Sequence, residues 1–412
     1  MKKQKHLLFI SVLTILYIPF AIHFGWRIRN TIGWDFPSLY AAGVAIFSLK
    51  SSPYDLKLLN AILLGKFQVF PFLYPPPSVV FLGPFSFFKI ENANLIFLMI
   101  NHLLIFVASW LLLQIFSPLP KRDGWSPFIF LIGFSAMVGF VSIQSTIKMG
   151  QVNILLFCLV LCFWMFSNFE KVVTAGLFLS LAILLKVYPI ILILPLLLLR
   201  KFKEVFWTGF FLVLIVLISY PLLPADTWSD WLFEIVPTGG YLRASQGFSE
   251  WNQSINGFFT KIRLEDTNKN LAILKMFSAK QLAYSCSFLA MLVLAIVTIR
   301  LKSLKCNQLD RMMMLSMPTI ILVAPVSWEH HLVLLIPTLL LLLTCRIKSE
   351  QLQYVWWLVS AGFYFLLGTE NIPHLRFGST LGIWLFSAWA ASNKNCIFLS
   401  EQTSDTDKCS KL

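Results

Sequence analysis

The sequence predicts an all-α polytopic membrane protein with about 10–13 transmembrane helices, and three observations carry that expectation. Of its 412 residues, 58% are hydrophobic and only 13% charged, with 39 Phe and 14 Trp, far from the usage of a soluble domain. Apolar runs recur along nearly the whole length, roughly at 7–25, 72–90, 93–116, 126–143, 151–168, 172–199, 205–223, 281–300, 312–327, 331–345, 352–368 and 380–391. Most basic residues sit in the short stretches between these runs, so the net charge of +14 marks loops and not a nucleic-acid-binding face.

In chain order, the opening "MKKQKHLLFISVLTILYIPFAI" is read as a retained first helix, because no small-residue cleavage site follows its long apolar stretch. Lys2, Lys3 and Lys5, "RKFK" at 200–203, "RLKSLK" at 300–305 and "RIK" at 346–348 are short Lys/Arg-rich loops, which stay on the cytoplasmic side. The segments 26–74, 224–280, "SWEHH" at 327–331 and 368–379 then face outward. Between 117 and 199 the orientation stays open, since "KRD" at 121–123 argues for a cytoplasmic loop and a count of spans argues against it. Residues 1–392 are expected to form one transmembrane domain, with 393–412 a polar cytoplasmic tail. Several runs are shorter than the ~20 residues of a straight span, which predicts tilted, broken or re-entrant pieces. The seven cysteines include no CxxC pair and none lies in the two long outer loops, so neither a disulfide framework nor a metal site is expected.

The first outer loop, 26–74, is unusual in being apolar as well as long. In "LKLLNAILLG", Leu56, Leu59, Ile62 and Leu63 follow helical spacing, with Asp55, Asn60 and Lys66 opposite them, as in a helix lying in the membrane interface. Asp55 follows "SSPY" and reads as the cap of that helix. Asp35 has two readings: a turn residue ahead of Pro37, or a positioned functional carboxylate between Trp34 and Phe36. "FLYPPPSVVFLGPFSFF" closes the loop, where the proline triplet forces a stiff extended return before a new span near Ser78, and Tyr74 joins the candidate binding residues.

Further polar residues interrupt the apolar runs. Gln151 and Asn153 head the run at 151–168, and Lys186 lies within the run at 172–199. A lysine at the centre of a span costs ~2.5–3.5 kcal/mol, so Lys186 either snorkels near Pro189 or meets an anion in an internal cavity. Asn252 and Gln253 in "NQSINGFF", and His330 and His331 in "SWEHHLVLLIP", complete the set of candidate binding residues. Adjacent histidines rarely turn both rings onto one ion, so hydrogen bonding to a polar head group is the expected role. Trp251 and Trp328 are open to two readings, stacking on a sugar or membership of the aromatic belt.

Taken in order, "WDFPSLYAAGVAIFSLKSSPYDL", "FLYPPPSVVFLGPFSFF", "GQVNILLF", "AGLFLSLAILLKVYP", "NQSINGFF" and "SWEHHLVLLIP" resemble the bacterial membrane glycosyltransferases of family 87, over about residues 30–345. The resemblance implies a GT-C fold and a polyprenyl-phosphate sugar, with mannose the expected hexose, as donor substrate. It implies a lipid-linked or cell-envelope glycan as acceptor, and an active site on the outer face of the bacterial inner membrane. It implies an aspartate of the first outer loop as general base of an inverting transfer; no separate cofactor is expected beside the lipid-linked donor, and nothing in the sequence calls for a metal. Asp35 matches that position, and Lys186, His330 and His331 are the candidates to steady the leaving phosphate. Across residues 1–392 neither a DxD pair nor a glycine-rich phosphate loop is present to suggest a nucleotide-sugar donor. A transporter of lipid-linked sugars, or a polymerase or ligase using the 224–280 loop, remains the alternative.

Overall fold

The computed structural model describes residues 32–116, 134, 137–238, 251–265, 278–304, 308–347, 350–367, 373–393 and 396–397. The expected first span at 7–25, the "KRD" loop, much of the 126–143 run, parts of the two later outer segments and the tail beyond 397 lie outside the described residues. Among the described residues the chain is helical apart from one two-residue antiparallel pairing, β1 (Arg346–Ile347) with β2 (Cys396–Ile397).

The segment expected to be the first outer loop folds into the protein. Helix α1 (Phe36–Phe47) takes Pro37 in its first turn, where the missing N–H loses nothing, and buries Phe36, Leu39, Ala41, Ala42, Ala45 and Ile46. Its small residues allow close approach, so α1 is a packed element and not a surface one. Helix α2 (Leu56–Ile62) keeps the interfacial pattern, with Leu59 buried and Lys57 and Asn60 exposed. Asp55 caps it as expected, accepting the Lys57 N–H at 2.8 Å.

The expected span over 72–90 does not form. Pro75 holds φ −53° and ψ 148°, Pro76 starts helix α3 (Pro76–Leu82), and Gly83–Phe87 continues only as a 3-10 turn. Seven α-helical residues rise about 10 Å, a third of the hydrocarbon thickness, because the prolines delay the start and Gly83–Pro84 ends it. The helix begins two residues before the Ser78 start that the sequence suggested.

Among the described residues, three helices are long and apolar enough to cross a membrane: α4 (Ile90–Phe116), the run Phe202–Leu222 that begins as α9 (Phe202–Ser219), and α11 (Ala279–Leu301). With the apolar composition they make this an integral membrane protein. Between α4 and α9 lie α5 (Val141–Met149), α6 (Asn153–Asn168), α7 (Val172–Leu185) and α8 (Ile193–Leu198), and α6 packs between α4 and α7. The apolar run over 172–199 is broken at Lys186, whose backbone is extended (φ −148°, ψ 130°), and it resumes through a 3-10 turn at Tyr188–Leu192. The segment after α9 contributes α10 (Ile255–Glu265). Helix α12 (Gln308–Val323) is buried along almost its whole length and packs on α11 and on α15 (Pro373–Ser392). It leads to a 3-10 segment at Glu329–Leu335, then to α13 (Ile336–Thr344) and α14 (Glu350–Leu367).

Two clusters hold these elements. A large core joins α4–α7, α11, α12 and the 3-10 segment after it, and a smaller one joins α1 and α2 to Phe72, Val79 and Leu223, with Trp228 and Trp231 against it. The Arg311 guanidinium donates to the carbonyls of Ala390, Ala391, Asn393 and Cys396, closing the C-terminus of α15. There Cys345 is joined to Cys396 by a disulfide, which corrects the expectation that no bridge forms. The two cysteines are 51 residues apart, and the β1–β2 pairing sets them side by side.

Candidate active site

The site starts from a crossing of two glycines. Gly33 lies against Gly150 so closely that a β-carbon on Gly33 would stand 2.7 Å from the Gly150 nitrogen. Gly150 ends α5 in the left-handed conformation at φ 70°, which glycine adopts without steric cost. That turn exposes the Met149 carbonyl, which accepts the Asp35 N–H at 2.8 Å. The backbone of Asp35 is therefore fixed to the α5–α6 turn, whose Gln151 lies 116 residues further along the chain.

Asp35 precedes α1, yet its side chain makes no capping bond to that helix. It accepts instead from Gln151 Nε2 at 2.8 Å. Burial raises its carboxyl above the usual value, while the Gln151 hydrogen bond pulls the other way. Gln151 is the junction of the group: its Oε1 also accepts from Tyr74 Oη at 2.7 Å and lies 3.4 Å from Lys186 Nζ. Tyr74 is set by the Tyr54 hydroxyl, which donates to its carbonyl at 2.7 Å. Burial and the neighbouring Asp35 push the Tyr74 phenol well up, so it stays a donor.

Lys186 reaches this group because α7 ends one residue earlier. Its amine lies 2.8 Å from Asn153 Oδ1, 3.2 Å from His331 Nε2 and 5.4 Å from the centre of the Tyr74 ring. His331 is oriented from its other side, where Nδ1 accepts the Trp328 backbone N–H at 2.8 Å. His330 stacks beside it at 4.6 Å between ring centres, and its backbone carbonyl lies 3.4 Å from Thr146 Oγ1 on α5. Three buried polar atoms around the group have no protein partner: Asn153 Nδ2, His330 Nε2 and Tyr188 Oη. Each such atom costs about 1–3 kcal/mol if nothing satisfies it, so a polar ligand meeting these residues would recover that cost.

Of the residues singled out in sequence, Asp35, Tyr74, Gln151, Asn153, Lys186 and His331 form one hydrogen-bonded set, and His330 stacks against it. Asn252 and Gln253 take no part in it. Asn252 Oδ1 accepts the N–H groups of Ser327 and Ser254, its Nδ2 donates to the Pro325 carbonyl, and Gln253 N–H donates to the Ser327 carbonyl at 2.6 Å. They brace the turn that presents Trp328 and the two histidines. Sequence reading missed Tyr188, edge-on to His331 at 5.7 Å. It also missed Arg376, fully buried on α15 and paired with Glu329 at 2.7 Å. "KVYP" and a charge ahead of an apolar run were the available signals. Among the described residues, no three His, Cys, Asp or Glu side chains meet at metal-binding spacing.

The model of glycosyltransferase family 87 matches residues 72–325, more than half of the chain. A polyprenol-phosphate-mannose-dependent alpha-(1-2)-phosphatidylinositol mannoside mannosyltransferase of Mycobacterium tuberculosis is 24% identical over 291 residues, 66% of this chain and 62% of that protein's length. Its counterpart of the same description from Mycolicibacterium smegmatis is 24% identical over 334 residues, 76% of this chain and 71% of its own length.

Proposed function

The chain belongs to glycosyltransferase family 87, and on that premise we propose that it transfers a mannosyl residue from a polyprenyl-phosphate donor to a hydroxyl of a lipid-linked or cell-envelope glycan, at the outer face of the inner membrane. The observation that supports this reading best is the position of Asp35 and Lys186 on opposite sides of Gln151, 2.8 Å and 3.4 Å from its amide atoms. A base and a phosphate-binding group at that spacing suit a displacement at the anomeric carbon. Asp35 takes the proton of the acceptor hydroxyl as its oxygen bonds to C1. The C1–oxygen bond to phosphate breaks, polyprenyl phosphate leaves with the electron pair, and configuration inverts. The phosphate gains one negative charge in that step, and Lys186, Asn153 and His330 are the donors that face it. Tyr74 and Gln151 hold the carboxylate still, which is where much of the gain from orientation arises. The names of the relatives favour mannose and a glycolipid acceptor.

The test is an assay of purified protein with a radiolabelled polyprenyl-phosphate mannose and membrane lipid extract. Transfer to lipid is expected, with Asp35→Asn lowering turnover ~10²–10⁴-fold and donor binding retained. Asp55→Asn, which loses only the cap of α2, serves as the control and should keep turnover at a stability cost of about 0.5–2 kcal/mol. Movement of donor across vesicles without sugar transfer would replace the enzyme by a transporter, and wild-type turnover in Asp35→Asn would remove Asp35 as the base.

A further inference from the structure

The three polar neighbours of Lys186 Nζ are Asn153 Oδ1 at 2.8 Å, Gln151 Oε1 at 3.4 Å and His331 Nε2 at 3.2 Å. The first two are acceptors. The role of the third follows from the far side of the ring, where His331 Nδ1 meets the backbone N–H of Trp328 at 2.8 Å. A backbone amide can only donate, so Nδ1 carries no proton and a neutral imidazole must carry its proton on Nε2. His331 therefore presents N–H to the lysine. An ammonium has three N–H bonds and no lone pair, and it would set donor against donor at 3.2 Å. An uncharged amine has two N–H bonds and one lone pair. The two bonds serve Asn153 and Gln151, the lone pair takes the His331 Nε2–H, and no group is left over.

We propose that Lys186 is the uncharged amine until the donor arrives, and that binding of the donor's phosphate draws one proton from solvent onto it. This rests on the reading of the site as one for a phosphate-bearing sugar lipid. The proton balance is simple: a solvent proton adds to the amine lone pair, the His331 Nε2–H is displaced from it, and the phosphate oxygens accept from the new ammonium. The charge is then present where the leaving phosphate acquires its second negative charge, and absent while no anion is there to meet it. The other groups able to titrate around the amine are Asp35 across Gln151, Tyr74 under it, Tyr188 edge-on to His331, and His330. Asp35 is the one that an arriving anion would also push toward protonation, so the experiment has to separate the two.

A donor with one phosphodiester does not titrate near neutrality, so proton uptake on binding reports the protein alone. Titration calorimetry of donor binding to the full-length protein, in two buffers of different ionisation enthalpy, measures the protons taken up per donor. Near one proton is expected for the wild type and for Asp35→Asn, and donor Kd should rise up to tenfold per pH unit on the alkaline side. Lys186→Arg, whose guanidinium stays charged, should bind donor without uptake and with a flat pH dependence. Lys186→Met should show no uptake either. Donor binding without proton uptake in the wild type overturns the proposal and leaves the enzyme assignment standing. Uptake that survives in Lys186→Arg or disappears in Asp35→Asn overturns it in favour of the carboxylate. Absence of donor binding at every pH would instead strike at the function proposed for the site.

Discussion

Replacing Gly150 by alanine perturbs Asp35 without touching its side chain. The position has φ 70°, where an added β-carbon costs about 1–2 kcal/mol. That β-carbon would also stand 2.8 Å from Phe36 Cβ and 3.4 Å from the Phe36 nitrogen. Ordinary contact begins near the second of these distances, so the loop must retreat by about 0.6 Å, and the Met149 carbonyl that receives the Asp35 N–H retreats from it. A misplacement of about 1 Å in a reacting group can cost ~10²-fold, so turnover is expected to fall roughly 10-fold, with donor KM little changed. Gly65→Ala is the matched control: φ is 68°, yet nothing lies within 4 Å of the new atom. It carries the backbone cost and none of the displacement. Initial-rate kinetics in detergent, with melting temperatures for both variants, make the comparison. Wild-type turnover in Gly150→Ala would refute the claim that this crossing sets Asp35, and an equal loss in Gly65→Ala would show that general destabilisation had been measured.

Other outcomes follow from the same geometry. Because burial raises the Asp35 carboxyl, the ionised base is lost as pH falls through a value above the ordinary carboxylate range, and the acid limb of turnover should begin correspondingly early. The sign for stability is opposite, since a raised carboxyl favours the folded state as it takes its proton, so unfolding and inactivation should separate on a pH profile. Gln151→Met removes the bond that favours the carboxylate and should move the acid limb to higher pH. Arg376→Met leaves Glu329 without its 2.7 Å partner and should cost about 3–5 kcal/mol, partly recovered in the double variant with Glu329→Gln, as read by melting in detergent. Lys66→Cys should react with an impermeant thiol reagent on intact cells above the parent protein's signal, and Ser303→Cys, exposed in the basic stretch expected to face the cytoplasm, should not; the reverse pattern would invert the orientation.

Much of the site was legible because polar groups are expensive at membrane depth. Lys186, Gln151 and Asn153 interrupt runs that are otherwise apolar, and the structure gathers all three. Asp35 was marked by its isolation in an apolar loop. What could not be read was which polar residues support and which face the group: Asn252 and Gln253 look like binding residues in a string, but the Asn252 amide and the Gln253 backbone N–H are spent on the Pro325–Ser327 turn. Tyr188 looked like part of an apolar run, and its orientation depends on the break at Lys186. The expected span over 72–90 shows the complementary error, since hydropathy counts residues and takes no account of three prolines followed by Gly83–Pro84. The Cys345–Cys396 bridge has no local signature, because a two-residue pairing between distant segments creates it.

The break at Lys186 has a consequence for how the chain is made. Lys186 meets His331 145 residues later, but Gln151 and Asn153 only 35 and 33 residues earlier. At about 5–20 residues per second, a ribosome needs roughly 7–30 s to deliver the histidine after the lysine. Throughout that interval the nascent helix pair must keep its amine in or near the bilayer with the partners already synthesised. The two amides are thus companions of biogenesis as well as of the finished site, and a chain lacking both should be a poor substrate for the insertion machinery, with Lys186 left exposed to lipid before its histidine exists.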